Sequence, residues 1–243
     1  MTTDGPTSLE PAEPLPLDET RHHFSETLDE INSGMVRMGS LVTENVRRAG
    51  EAMLEGRLDL VPVVIEADNE VNRLYAELEQ LTFETLARQQ PVAKDLRFLV
   101  STTRILYELE RSGDLAVNCA NVADREDGLP QSPKLMALLT RMVDECCSLF
   151  SAGVDTLADM DAERGRALDA EDDVLDDLVA RYYTEIGRVS EEIGLETAIQ
   201  LSRVGRFLER IGDHAVNIGE NVAYIITAEF PGDTHASLTD GPE

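Results

Sequence analysis

The stretch Glu110–Asn118 reads ERSGDLAVN, and the chain repeats it 99 residues later, at Glu209–Asn217, as ERIGDHAVN. Seven of the nine positions are identical. In each copy a Glu and an Asp lie four residues apart, and in a helix this spacing places both carboxylates on one face. Such a like-charged pair destabilises an isolated helix by roughly 0.2–0.5 kcal/mol. The repetition therefore indicates a cationic partner at two equivalent places.

Composition around this phrase favours packed helices. The chain has 243 residues, of which 42% are hydrophobic but only 5% aromatic, with no Trp. Its core must therefore be built from aliphatic side chains, which favours helix packing over a sandwich or barrel. A net charge of −27 argues against binding to nucleic acid or to an anionic membrane surface.

Targeting signals and cysteine usage both predict a cytoplasmic protein. No apolar run approaches the roughly 18 residues that a membrane span needs, so no direct membrane insertion is expected. The N-terminus carries acids and prolines instead of the basic and apolar segments of a signal peptide. Three cysteines, two of them adjacent, do not suit a disulfide framework and indicate a reducing compartment.

Hydrophobic spacing predicts an all-α protein of six long helices, arranged as two tandem three-helix bundles by internal duplication. Hydrophobic residues recur at steps of three and four positions along most of the chain, with a few breaks between the helices. Breaks are expected at Gly56, at Pro91 and at the Asp-Gly-Leu-Pro sequence of residues 127–130. The predicted divisions are a disordered acidic leader (1–18), a first repeat (19–127), a second repeat (128–229) and a disordered tail (230–243).

The middle helices of the two repeats also resemble each other. Residues 66–71 (EADNEV) align with residues 169–174 (DAEDDV) at an offset of 103. Compared with the offset of 99 between the repeated phrases, this predicts that the second repeat is about four residues shorter at the turn that contains Pro91 in the first.

The repeated phrase carries ligands for a hard cation. Carboxylate and amide oxygens suit magnesium, manganese or ferric iron, and clustered carboxylates need a cation to remain ionised together. His214 has Leu115 as its counterpart and is not expected to act at a duplicated site. Arg111 and Arg210 are expected to form ion pairs with neighbouring helices. The oxygen ligands predicted on this face are Glu110, Asp114, Asn118, Glu209, Asp213 and Asn217.

Signatures of catalysis are not apparent. Neither copy of the phrase contains the Glu-x-x-His pair with which di-iron bundles supply imidazole ligands. The three cysteines do not form a Cys-x-x-Cys zinc motif, and no phosphate-binding Gly-Lys loop or dinucleotide fingerprint occurs. The sequence therefore predicts a protein that is not an enzyme.

With these motifs the chain resembles the PhoU family of phosphate-transport regulatory proteins over residues 24–228. The resemblance depends on VIEAD at residues 64–68 with Val71-Asn72, on QPVAKDLR at residues 90–97, and on the two Glu-Arg-x-Gly-Asp phrases. It implies metal ions, often iron but also manganese, magnesium or zinc, at the two Glu-Asp pairs. A further acidic position at the start of each middle helix corresponds to Asp68 and Glu171. Four residues after these positions the family commonly has an acid, but this chain has Asn72 and Leu175. Asp172 and Asp176 form an acid pair four residues apart in a shifted register.

This resemblance also implies a function. Such proteins restrain the high-affinity phosphate ABC transporter, through its ATPase subunit, and help a phosphate-sensing histidine kinase to keep starvation genes off. The long apolar seams fit a homodimer. Three alternatives remain open: a metal-storing or di-metal carboxylate bundle, a purely structural scaffold, and a regulator of a different phosphate carrier.

Overall fold

The computed structural model describes residues 17–123 and 132–229, with side chains from residue 21 onward. The described residues form six α-helices: α1 (Leu17–Glu55), α2 (Val61–Gln89), α3 (Ala93–Ala123), α4 (Pro133–Asp159), α5 (Ala162–Ile193) and α6 (Leu195–Thr227). A single 3-10 turn, Leu58–Leu60, precedes α2. The all-α prediction is confirmed. The predicted break at residues 127–130, the tail and residues 1–16 of the leader lie outside the described residues, while α1 begins two residues inside the predicted leader.

Several helix ends are marked by a residue in a left-handed conformation or by a capping side chain. Gly56 follows α1 with φ +67°, and Gln90, at φ 46°, ends α2 immediately before Pro91. The side chain of Asp161 accepts hydrogen bonds of 3.0 Å from two backbone amides in the first turn of α5. Gly194, at φ +80°, separates α5 from α6. These local features mark the α1–α2, α2–α3, α4–α5 and α5–α6 boundaries.

Packing groups the helices as the duplication predicts. Helices α1, α2 and α3 contact one another, as do α4, α5 and α6, and the α3–α6 and α1–α4 contacts join the two units. Helices α3 and α6 are antiparallel, since Ser112 contacts His214 while Arg97, nearer the start of α3, contacts Ile225 near the end of α6. One hydrophobic core runs through both units. The prediction of two tandem three-helix bundles is confirmed.

Within residues 17–123 and 132–229, no helix combines the length and the hydropathy that a membrane-spanning segment requires.

Candidate functional site

The first acidic site, which consists of Asp68, Glu110 and Asp114, lies where α2 packs on α3. The backbone of Gly113 makes this approach close, because a Cβ built on it would lie 2.5 Å from Asp68 Oδ1. Asp68 is only 9% exposed, and Asn72 donates a 3.1 Å hydrogen bond to its Oδ2. Carboxylates from two helices are thus held beside one glycine.

The second acidic site, which consists of Asp172, Asp176, Glu209 and Asp213, repeats this arrangement where α5 packs on α6. A Cβ on Gly212 would lie 2.5 Å from Asp172 Oδ1, the same distance as at the first site. Asp176 and Asp213 are exposed, so this site opens toward solvent. The structure thus places both predicted Glu-Asp pairs against a carboxylate from the middle helix of their own repeat.

Glu171 does not occupy the position expected for it. Both its carboxylate oxygens bind the guanidinium of Arg164, with Arg164 Nη2 at 2.9 Å from Oε2, and its side chain is 47% exposed. Instead, Oδ1 of Asp172 packs against the backbone of Gly212. Asp172 matches Asp68 at an offset of 104, so Asp176 matches Asn72. The second repeat therefore has the acid expected four residues after the first one.

The correct register was readable from the buried spacing. The apolar residues of α2 that face the core and those of α5 share one pattern, at a constant offset of 104: Val64, Val71, Leu74 and Leu78, and Leu168, Leu175, Leu178 and Tyr182. The offset of 103 came from aligning acidic residues on the surfaces of the two helices. Such residues interchange freely because they face water. The turn between the second and third helices is therefore five residues shorter in the second repeat, not four.

Crowding of carboxylates alters their acidity. Burial, reinforced by the charge of Asp114, raises the pKa of Asp68 from 3.8 to about 6. Burial and the charges of Asp176 and Asp213 raise the pKa of Asp172 to about 7. Burial also raises the pKa of Glu110, with Asp114 adding to the effect. A cation at either site would oppose these shifts, because it would favour the ionised form.

Two oxygen atoms at these sites have no hydrogen-bond partner. Asp68 Oδ1 and Asp172 Oδ1 are both buried without a donor, each directly over its glycine. A buried carboxylate oxygen that lacks a donor is costly, and a hard cation would satisfy it. The donor chemistry at both sites therefore fits a metal. Among the described residues, however, no three His, Cys, Asp or Glu side chains stand close enough to hold one ion without moving.

Arginines already neutralise part of each site. Arg111 binds Asp114 at 3.0 Å and Arg206 binds Glu209 at 2.7 Å, each within a single helix. Arg111 was expected to pair with a neighbouring helix and pairs within α3 instead. A bound cation would have to compete with these partly exposed ion pairs, which are individually weak.

The two asparagines of the repeated phrase have different environments. Asn118 is exposed, whereas Asn217 Nδ2 donates a 3.2 Å hydrogen bond to Glu108 Oε1 across the α3–α6 interface. Burial raises the pKa of Glu108 to about 7. Within the described residues, neither asparagine donates a hydrogen bond to a carboxylate of the acidic sites. Sequence reasoning missed Glu108, because its counterpart in the second repeat is Phe207 and the duplication gives no signal.

The described histidines, His22, His23 and His214, do not join the acidic sites either. His214 is buried beside Glu108, with Nε2 at 3.6 Å from its Oε2 and Nδ1 at 2.9 Å from Ser112 Oγ. Burial lowers the pKa of His214 to about 4. A Glu-x-x-His spacing does occur at residues 19–22, but His22 lies in the exposed first part of α1 and approaches Glu26 at 3.6 Å.

Comparison with known proteins gives consistent matches. The PhoU domain family model matches residues 35–123 and 139–222, one block in each repeat. The phosphate-specific transport system accessory protein PhoU homolog of Synechocystis sp. is 32% identical over 86% of this chain and 93% of the relative. The homolog of Deinococcus radiodurans is 33% identical over 85% and 98%. The crystal structure of PhoU from Pseudomonas aeruginosa superposes with a TM-score of 0.80 at 28% identity, over 85% of this chain and 100% of that one.

Proposed function

The chain belongs to the PhoU family, and from this premise we propose that it is a cytoplasmic regulator of phosphate homeostasis. It restrains high-affinity uptake by binding the ATPase subunit of the phosphate ABC transporter, and it acts on a phosphate-sensing histidine kinase. The name of its relatives, accessory proteins of the phosphate-specific transport system, supports this proposal. The absence of a catalytic motif from the sequence supports a role that is not enzymatic.

The observation that carries the metal part of the proposal is the pair of buried aspartate oxygens without donors, one at each acidic site. Asp68, Glu110 and Asp114 would hold an ion at the first site. Asp172, with the other members of the second acidic site, would hold one at the second. A bound iron, manganese, magnesium or zinc ion supplies positive charge that keeps these carboxylates ionised. Each site joins the middle and last helices of one repeat, so binding there stiffens the repeat.

Charge supports the interaction with partners. A chain with a net charge of −27 steers toward basic surfaces, and the half-buried Asp114 of the first site and the exposed Asp176 and Asp213 of the second add to this field. We propose that the protein acts as a homodimer, and sedimentation that detects only monomer at micromolar concentration would contradict this.

Elemental mass spectrometry of the tag-free protein tests the metal sites. Asp172→Asn and Glu171→Gln are a matched pair, since they change adjacent acids of α5 of which only Asp172 lies over Gly212. We expect Asp172→Asn to lose the metal of the second site and Glu171→Gln to retain it. Equal metal content in the wild type and both variants, or no metal after reconstitution, would refute the metal proposal.

Regulation is tested separately, by capture of the transporter ATPase subunit on the immobilised protein and by phosphate uptake in cells that lack the chain. We expect specific capture and uptake that continues when phosphate is plentiful. Normal uptake together with oxidase turnover or metal release would favour the metal-storing or di-metal alternative. Normal uptake with none of these activities would favour a structural scaffold, and loss of control over another phosphate carrier would identify a different client.

A further inference from the structure

A groove of about 480 Å³ lies between the two repeats, where α3 of the first packs on α6 of the second. Its volume is within the range of small-molecule sites. No residue of either acidic site lines it, so this inter-repeat groove is a separate feature of the molecule. Its polar and aromatic lining includes Tyr75 of α2, Arg104 and Glu108 of α3, and Asn217, Glu220 and Asn221 of α6.

Asn221 contributes a buried acceptor that has no donor. The residue is 6% exposed, and its Nδ2 donates a 2.8 Å hydrogen bond to the backbone carbonyl of Asn217. Because only the amide nitrogen can donate to a carbonyl, this bond identifies which end of the side chain is oxygen. Asn221 Oδ1 has no hydrogen-bond partner within the described residues. Such a buried acceptor is costly, so a ligand that supplies an N–H or O–H group would be favoured here.

The second repeat has apolar side chains at the equivalent positions. At the offset of 99 between α3 and α6, Glu108 corresponds to Phe207, and Asn221 corresponds to Val122. Val122 is buried, and Phe207 packs against the core with the guanidinium of Arg203 over its ring at 5.6 Å. The fold therefore does not require polar groups at these two positions. Their presence on one side of the duplication points to a ligand.

Charges of opposite sign face this groove one helical turn apart. In the part of the chain that the structure describes, Arg104 forms no ion pair. The antiparallel register of α3 and α6 places it level with Asn221. Glu108 follows Arg104 by four residues, about 6 Å along α3, and its Oε1 accepts a 3.2 Å hydrogen bond from Asn217. Glu220 also lines the groove, but it already has an interaction partner.

We propose that the inter-repeat groove binds a small zwitterion of the amino-acid type. The ligand's carboxylate binds Arg104, and its ammonium group donates to Asn221 Oδ1 and to Glu108. A purely anionic ligand would be repelled by Glu108, and a purely cationic one by Arg104. Tyr75 supplies aromatic surface for the apolar part of the ligand. A bound ligand joins α3 of one repeat to α6 of the other. This proposal does not rest on the proposed regulatory function.

A thermal-shift screen of the full-length protein against the common L-amino acids, in a chelator, tests the proposal and identifies the probe. We expect at least one amino acid to raise the Tm and to bind with 1:1 stoichiometry in calorimetric titration. Its N-acetyl derivative lacks the ammonium charge and its carboxamide lacks the carboxylate charge. We expect each derivative to bind about tenfold more weakly or worse.

Substitutions then locate the bound probe. Arg104→Gln and Asn221→Val should each weaken its binding about tenfold or more. Arg203→Gln is the matched control, because it makes the same change at the equivalent position of the second repeat, and it should bind normally. Asn221→Val introduces the side chain that Val122 already places at the equivalent buried position, so we expect unchanged circular dichroism.

The opposite outcomes overturn the proposal. If no amino acid raises the Tm, the groove does not bind this class of ligand. Binding that survives both Arg104→Gln and Asn221→Val would place the ligand elsewhere on the protein. Inorganic phosphate that binds more tightly than any amino acid, and is lost in Arg104→Gln, would assign the groove to an anion instead. Because these measurements need no transporter or kinase, the ligand site can fail while the regulatory function stands, and the reverse.

Discussion

Replacement of Asp68 by Asn is expected to stabilise the metal-free protein while weakening its metal binding. Asp68 is packed over Gly113 among other acids, and its pKa rises from 3.8 to about 6. At about 1.4 kcal/mol for each pKa unit, this difference costs the folded state at most about 3 kcal/mol at pH 8. Residual solvent contact reduces the expected gain for Asp68→Asn to about 1.5 kcal/mol.

The pH dependence follows from the direction of the shift. As the pH falls from 8 to 5, the folded wild type takes up a proton at Asp68 near pH 6, whereas the unfolded chain does so only near 3.8. The free-energy cost of Asp68 to the folded wild type therefore decreases on acidification. By pH 5 the stability gained by Asp68→Asn falls to about half of its value at pH 8. This pH still lies above the isoelectric point of about 4.3.

Thermal unfolding in a chelator measures the effect. For a chain of this size, about 1.5 kcal/mol corresponds to a rise in Tm of about 3–6 °C. Glu171→Gln serves as the control, because it removes an exposed carboxylate paired with Arg164 and should not stabilise the protein. A Tm for Asp68→Asn that is unchanged or lower at pH 8, or that rises equally at pH 5 and pH 8, would refute the reasoning.

Three further predictions concern packing and thiol burial. In α5, Gly165→Ala should lower the free energy of unfolding, measured by urea denaturation, by about 1–3 kcal/mol, because the added Cβ would overlap the Gly219 carbonyl. Gly187→Ala lies in the same helix, and no atom lies within 4 Å of the added Cβ, so its free energy of unfolding should rise by about 0.5–1 kcal/mol. Equal effects of the two substitutions would contradict this packing. Arg97→Met should cost about 1–3 kcal/mol and speed amide exchange at the end of α6, since it removes hydrogen bonds of 3.0 and 3.2 Å to Ile225 O; unchanged exchange would refute this. The three cysteines should react with a disulfide reagent only after denaturation, because burial raises the pKa of every thiol, and rapid reaction of the native protein would disprove it.

Much of the fold could be predicted because its signals are local. Helical periodicity, Gly56, Pro91 and the acid pairs four residues apart are properties of short stretches. The repeated phrase then predicted two equivalent units without any knowledge of their packing. The same logic placed Glu110 with Asp114, and Glu209 with Asp213, on one helix face each.

The fifth helix shows where such reasoning failed. Exposed acids are nearly interchangeable, so similarity between EADNEV and DAEDDV did not determine which acid of α5 faces α6. Buried spacing constrains the register, because moving Leu175 by one position would turn an apolar side chain toward water. Asp172, rather than Glu171, follows from that constraint.

By itself, then, the sequence determined the helices, their duplication and the two acid pairs, since each depends on neighbours within a turn or two of helix. Only the tertiary structure decided that α3 and α6 run antiparallel, that Glu108 meets Asn217 between the repeats, and that two aspartate oxygens are buried over glycines without donors. These features join residues from different helices, where position depends on how whole helices pack, and no short-range pattern records that.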